Sequence, residues 1–294
     1  MLGSFRSWKA GGSPMTEARV VDPMAFPVAW TEVANHPDFA IAARRLATNM
    51  LQLCDEDEHL AAVFKDAGRY VAAMSAAYLH GTGGLTLPML KQICAATGFL
   101  SPGRARAILE FLLHIGYLQP AAGGRYLPTE RFLLAWRRHL QAAVDAAAVI
   151  EPALAALSKR LVAADAFMAF LAVQAARLHT ITQQKSDPLP AITRAFLHPH
   201  AGSQILWVMT LAGSDHALPT TDEIRLSLTS LASRFDVTHL HVRRLLRQAQ
   251  REGMLTYHGH GRISFEPSGL DELNRHYAFQ LSEIIESSRE MLAR

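Results

Sequence analysis

One pattern occurs twice in this chain, and that duplication constrains the fold more than any other feature. The stretch DAGRYVAAMSAAYLHG (Asp66–Gly81) resembles HAGSQILWVMTLAGSD (His200–Asp215): each opens close to an Ala-Gly step and continues as an apolar helix. Next, LTLPML (Leu85–Leu90) matches LSLTSL (Leu226–Leu231). RARAILEFLLHIGYL (Arg104–Leu118) then matches HVRRLLRQAQREGML (His241–Leu255), in register through Arg106/Arg243, Leu109/Leu246 and Gly116/Gly253. Each copy closes with a glycine-containing turn and a basic, apolar strand, AAGGRYL (Ala121–Leu127) and HGHGRISF (His258–Phe265). Such self-similarity marks one supersecondary unit used twice. The expected order is helix, helix, helix, hairpin in each copy.

Local signals support that order. Ser101-Pro102 and Thr238 stand where a helix start wants a side-chain oxygen, with proline at the first helical position in the first copy. Gly116 and Gly253 stand where the same helices should end.

The third helix of the second copy is unusual in its charge. On a wheel, Val242, Leu245, Leu246 and Ala249 share the buried face, and Arg243, Arg244, Arg247 and Arg251 lie opposite. No acid interrupts the run until Glu252. Like charges four apart repel by a few tenths of a kcal/mol, so solvated helices usually interleave Glu with Arg. The compensating charge comes either from a partner outside the helix or from acids elsewhere in the fold.

The run SLTSLASRFDVTHLHVRRLLRQAQREGMLTYHGHGRISF resembles the winged helix-turn-helix modules of bacterial transcription regulators, the MarR-like and GntR-like kinds in particular. The resemblance implies a mainly α protein with two such modules, each of three helices plus a β-hairpin wing, joined by a helical segment. It also implies double-stranded DNA as partner. Thr238, His239, His241 and Arg243 then fall at the head of a recognition helix, Arg244 and Arg247 further along its exposed face, and Arg262 in the wing. Arginine suits this work because its guanidinium binds guanine O6/N7 or phosphate with two hydrogen bonds. In the first copy the corresponding candidates are Ser101, Arg104, Arg106 and, in the wing, Arg125. There Ala107, Glu110 and His114 replace Arg244, Arg247 and Arg251, and Phe111 and Leu113 add apolar surface. The first module is therefore expected to bind DNA more weakly or to serve assembly. Doubled chains of this plan also resemble plasmid replication initiators, and tandem winged helices serve as protein scaffolds in chromosome-condensing complexes.

The remaining segments divide the chain into a flexible leader (1–37), the first module with a preceding helix (38–128), a helical connector (129–190), the second module (191–268) and a C-terminal helix (269–294). Met15 is a candidate alternative start. The connector is rich in Ala and Leu, with Pro152 as a start or kink, and Thr180–Pro190 reads as a linker. Leu273, Tyr277, Leu281, Ile284 and Ile285 form an inward-facing stripe on the C-terminal helix, which reads either as a dimerisation arm or as a packed cap; a homodimer would form through the central or C-terminal helices. Phe167, Met168, Phe170 and His179 are candidates for a small-molecule effector pocket, although such stripes are more often core.

The chain has 19% charged residues and a net charge of +3, which permits a local basic surface without requiring one. Only Cys54 and Cys94 are present, without metal-ligand spacing, and the expectation is a reducing cytoplasm; the resemblance to DNA-binding regulators implies association with the nucleoid there. No apolar run escapes interruption by charge, so no membrane partner is expected. His258 and His260, two apart in the hairpin turn, are too few to hold a metal. The acidic run Asp55–Glu58 reads as a solvated turn. No P-loop, dinucleotide fingerprint, HExxH or GxSxG motif is present, so neither catalysis nor a cofactor is expected.

Overall fold

The computed structural model of the protein describes residues 28–96, 100–183, 190–213 and 217–293. Over these residues it is mainly helical with two small three-stranded sheets. The first half runs α1 (Val28–Ala34), α2 (Phe39–Glu56), α3 (Glu58–Phe64), α4 (Ala67–Thr82), β1 (Leu85–Thr86), α5 (Leu87–Ala96), α6 (Pro102–His114), β2 (Leu118–Ala121), β3 (Arg125–Pro128) and α7 (Glu130–Ala147). A short 3-10 turn beginning at Pro152 leads to α8 (Ala155–Arg160). The second half follows with α9 (Ala164–Gln183), a π turn (Thr193–Leu197), α10 (Gly202–Leu211), β4 (Ile224–Arg225), α11 (Leu228–Arg234), α12 (His239–Arg251), β5 (Leu255–Gly259), β6 (Arg262–Phe265) and α13 (Pro267–Leu292).

The duplication reaches atomic detail in α6 and α12. Ala105, Ile108, Leu109 and Leu112 are the buried residues of one, and Val242, Leu245, Leu246 and Ala249 occupy the same four positions in the other. Both helices end at a left-handed glycine, Gly116 at φ 70° and Gly253 at φ 72°, a conformation that costs glycine little. Immediately after it the amide of Tyr117 bonds the Leu112 carbonyl, and that of Met254 bonds the Ala249 carbonyl, each at 2.9 Å. The chain then turns into a hairpin whose strands pair with a third, very short one. The sheet orders are β1-β3-β2 and β4-β6-β5, all antiparallel, with Leu85 opposite Tyr126 and Ile224 opposite Ile263. Those third strands were not expected. Two residues are too short to reveal an alternating pattern.

The repeat is also longer than the sequence similarity. Helices α2, α3 and α4 precede the first sheet as α9, the π turn and α10 precede the second, and a long helix, α7 or α13, follows each. The expected connector is thus the last helix of one unit and the first of the next. Packing follows the same plan: α2 lies on α7 and α9 on α13 within each half, whereas α2 also packs on α10 and α9 on α4 across the halves. Helices α7 and α13 pack on each other. The two halves therefore share one core. Polar contacts tie them further, since Arg44 donates to the carbonyls of Thr210 and Ala217 (both 3.1 Å) and the Ala201 amide to that of Lys65 (2.7 Å).

Several expectations need correction. Helix α1 forms inside the segment read as a flexible leader and packs on α13, with the Trp30 ring 4.8 Å from Phe279 edge-on. Residues 1–27 lie outside the described residues, Met15 among them. Thr180–Gln183 belong to α9 rather than to a linker, and residues 184–189 also lie outside the described residues. Leu273, Tyr277, Leu281, Ile284 and Ile285 do face inward as expected, and they are buried within the chain itself in the manner of a packed cap, because α13 packs on α1, α7 and α9. Phe167 and Phe170 are core residues, and His179 hydrogen-bonds to Ser75 (3.1 Å) with its ring against Tyr78. Among the described residues no helix is long and apolar enough to cross a membrane.

Candidate nucleic-acid interface

The heads of α6 and α12 are fixed by matching caps. Thr238 has extended backbone, and its hydroxyl accepts from the His241 amide at 3.1 Å; Ser101 does the same for the Arg104 amide at 3.2 Å. Each cap satisfies one of the amides that a helix start leaves without an internal partner. Each hydroxyl thereby holds its helix start.

Arg104 and His241 then anchor each head to the start of an earlier helix. Arg104 donates to Asp66 (3.1 Å), a nearly buried carboxylate that also caps α4 through the Arg69 amide (2.9 Å). His241 Nε2–H donates to the His200 carbonyl oxygen (2.7 Å), two residues before α10. These two expected DNA-binding residues thus serve as anchors, Arg104 with its side chain still about half exposed. His198 and His200 lie at the same junction. Burial, reinforced by Lys65 and Arg69, lowers the pKa of His200, and burial with Arg104 nearby lowers that of His198. Lys65 crosses between the halves to Asp236, just ahead of α12, at 3.7 Å.

Along the exposed faces the two helices differ in charge. On α6, Arg106 donates to Glu110 at 2.9 Å and is neutralised within its own helix. On α12, Arg243, Arg244 and Arg247 are exposed, and among the described residues none of their side chains makes a hydrogen bond or ion pair. Arg251 reaches Gln248 (2.6 Å). Glu252, the one acid at the end of this helix, is taken by Arg194 of the π turn (2.6 Å) and by Gln248 (2.6 Å). Among the described residues no acid neutralises the stripe.

In the second hairpin Arg262 approaches Glu223 at 3.5 Å, both side chains about half exposed, and pairs across the sheet with Arg225. Such an exposed ion pair contributes at most about 1 kcal/mol. Two arginines directly opposite repel, and sequence reasoning missed Arg225 because the strand that holds it was missed. His239 is exposed at the first position of α12. Leu240, next along, is the other residue overlooked; it stands at i−3 from Arg243 and is exposed on the arginine stripe. In the first hairpin Arg125 is exposed and sits opposite Thr86. His258 bonds across its hairpin to Ser264 (2.9 Å).

The acidic run is not a free solvated turn. Asp55 pairs with Arg234 (2.7 Å), Glu56 pairs with Arg138, and Asp57 caps α3 by accepting from the His59 and Leu60 amides. Comparison with protein-family models, curated proteins and solved structures found no match to this chain.

Proposed function

We propose that the chain is a sequence-specific double-stranded DNA-binding transcription regulator built from two winged helix-turn-helix modules, residues 67–128 and 202–265. The order helix, strand, helix, helix, strand, strand in both halves supports this assignment. The observation that carries it is the stripe Arg243, Arg244 and Arg247, exposed and, among the described residues, without a counter-charge. Leaving three guanidinium groups along one exposed helix face costs mutual repulsion, and a polyanion removes that cost.

In this reading the head of α12 enters the major groove. Arg243 is near base edges there, Arg244 and Arg247 reach bases or phosphates, and His239 lies at the first turn. Arg262 of the hairpin and Arg225 of β4 meet the flanking backbone. The first module contributes less, because Arg104 and Arg106 are already held by Asp66 and Glu110; Arg125, exposed in its wing, is the candidate that remains.

The test is selection of bound genomic fragments by the purified protein at two salt concentrations. A recurrent motif whose recovery falls steeply with salt is expected, with sites at promoters. Sites confined to one replication origin would replace regulation by initiation. No enrichment even at low salt would assign the stripe to a protein partner.

A further inference from the structure

The apolar residues of α12 divide into two kinds. Val242, Leu245 and Leu246 are at most 3% exposed, whereas Leu240 is 52% exposed. Leu240, Arg243, Arg244 and Arg247 follow the i, i+3, i+4, i+7 spacing of one helix face. Leu240 is the apolar head of the arginine stripe. Single exposed leucines are common on proteins, so exposure alone carries nothing. The repeat supplies the control. The matching position in α6 is Gly103, and a Cβ built there meets nothing within 4 Å. The fold at this position thus needs no side chain, and the leucine is not there to pack.

Resting on the DNA reading above, we infer that Leu240 is a specificity-determining residue that packs on the C5 methyl of thymine. In the major groove of unmodified DNA the apolar group is that methyl, which distinguishes A·T and T·A pairs from the others. Its position puts Leu240 nearer the head of α12 than the arginines, where base edges are read. Arg243 beside it suits guanine. The combined preference is a thymine next to a guanine contact.

The experiment uses the full chain and synthetic, unmethylated duplexes carrying the motif recovered by the selection, with each thymine replaced in turn by deoxyuridine. The replacement removes one methyl and keeps every hydrogen-bonding group. One or two positions should weaken binding by about four-fold, the equivalent of about 0.8 kcal/mol for one buried methyl. Leu240→Ala should lose about the same on the thymine duplex and become indifferent to deoxyuridine there, with its salt dependence unchanged because no charge is removed. Binding that no deoxyuridine weakens, or a loss equal in both proteins, overturns the assignment. So does tightening on 5-methylcytosine alone, which carries the same methyl on another base. The thymine scan on the unsubstituted protein stands whatever the variant does to folding. Failure of the unsubstituted protein to bind any duplex is a different result, for it removes the DNA reading itself.

Discussion

Arg106 and Glu110 pair at 2.9 Å across one turn of α6, and the residues that match them in α12 are Arg243 and Arg247. The same geometric slot therefore holds an ion pair in one half and a like-charge pair in the other. An exposed i, i+4 pair is worth only about 0.3–0.5 kcal/mol, so its loss changes stability little. What changes is the charge left for a partner. On α6 the pair cancels, and on α12 it adds.

The two arginines should accordingly respond differently to removal. Arg243→Ala is expected to weaken binding to the selected duplex by about 1–3 kcal/mol, and Arg106→Ala by clearly less. Titration of a labelled duplex measures both. Equal losses would mean that the first module reads DNA as strongly as the second.

The caps lead to a stability prediction. Thr238→Ala should cost about 1 kcal/mol, while Thr238→Ser should be nearly silent, because a hydroxyl at that site still accepts the His241 amide. Urea unfolding gives the difference. Ser101→Ala should act alike, since its hydroxyl holds the Arg104 amide.

Acid should destabilise the protein through two buried histidines. Burial lowers the pKa of His139 to about 3 and that of His276 to about 4. Each stays neutral when folded but takes up a proton near pH 6.5 when unfolded. Their contribution is complete above about pH 6.5 and is lost as the pH falls toward those folded values, with a slope approaching about 1.4 kcal/mol per pH unit for each. Denaturation at pH 7.5 and 5.5 should differ by roughly 2–3 kcal/mol from these two groups. A flat profile would contradict their neutral burial.

Gly202 should resist substitution by even one methyl. A Cβ there collides with the Phe196 carbonyl and its backbone, which cannot swing aside as a side chain can. Gly202→Ala is expected to cost at least about 1–3 kcal/mol, the usual penalty of overpacking. The midpoint of thermal unfolding checks it. Gly103→Ala, with open space around its Cβ, should cost nothing comparable.

Much of this architecture was legible in the sequence, where periodicity and capping were strong. The buried faces of α6 and α12, their caps and their glycine stops all follow from residue spacing. What stayed hidden depends on contacts distant in the chain. The strands β1 and β4 exist only through pairing with β3 and β6. Helix α1 owes its place to α13, far along the sequence, through the Trp30–Phe279 contact. The site was legible in composition but not in availability. Arg104 and Arg243 look equivalent as letters, yet Asp66, many residues earlier, occupies one and among the described residues no acid occupies the other. Leu240 was overlooked because attention to the buried face passes over an apolar residue on the opposite one.

The central claim is that Arg243, Arg244 and Arg247 await phosphate and base contacts. The most direct measurement compares the salt dependence of duplex affinity for the unsubstituted protein and for the triple Arg243→Ala, Arg244→Ala, Arg247→Ala variant. At about 0.9 in slope for each neutralised phosphate, the slope should fall by close to 3, less any arginine that contacts only a base. A slope that stays the same, or an unsubstituted protein that ignores DNA at low salt, would contradict the claim.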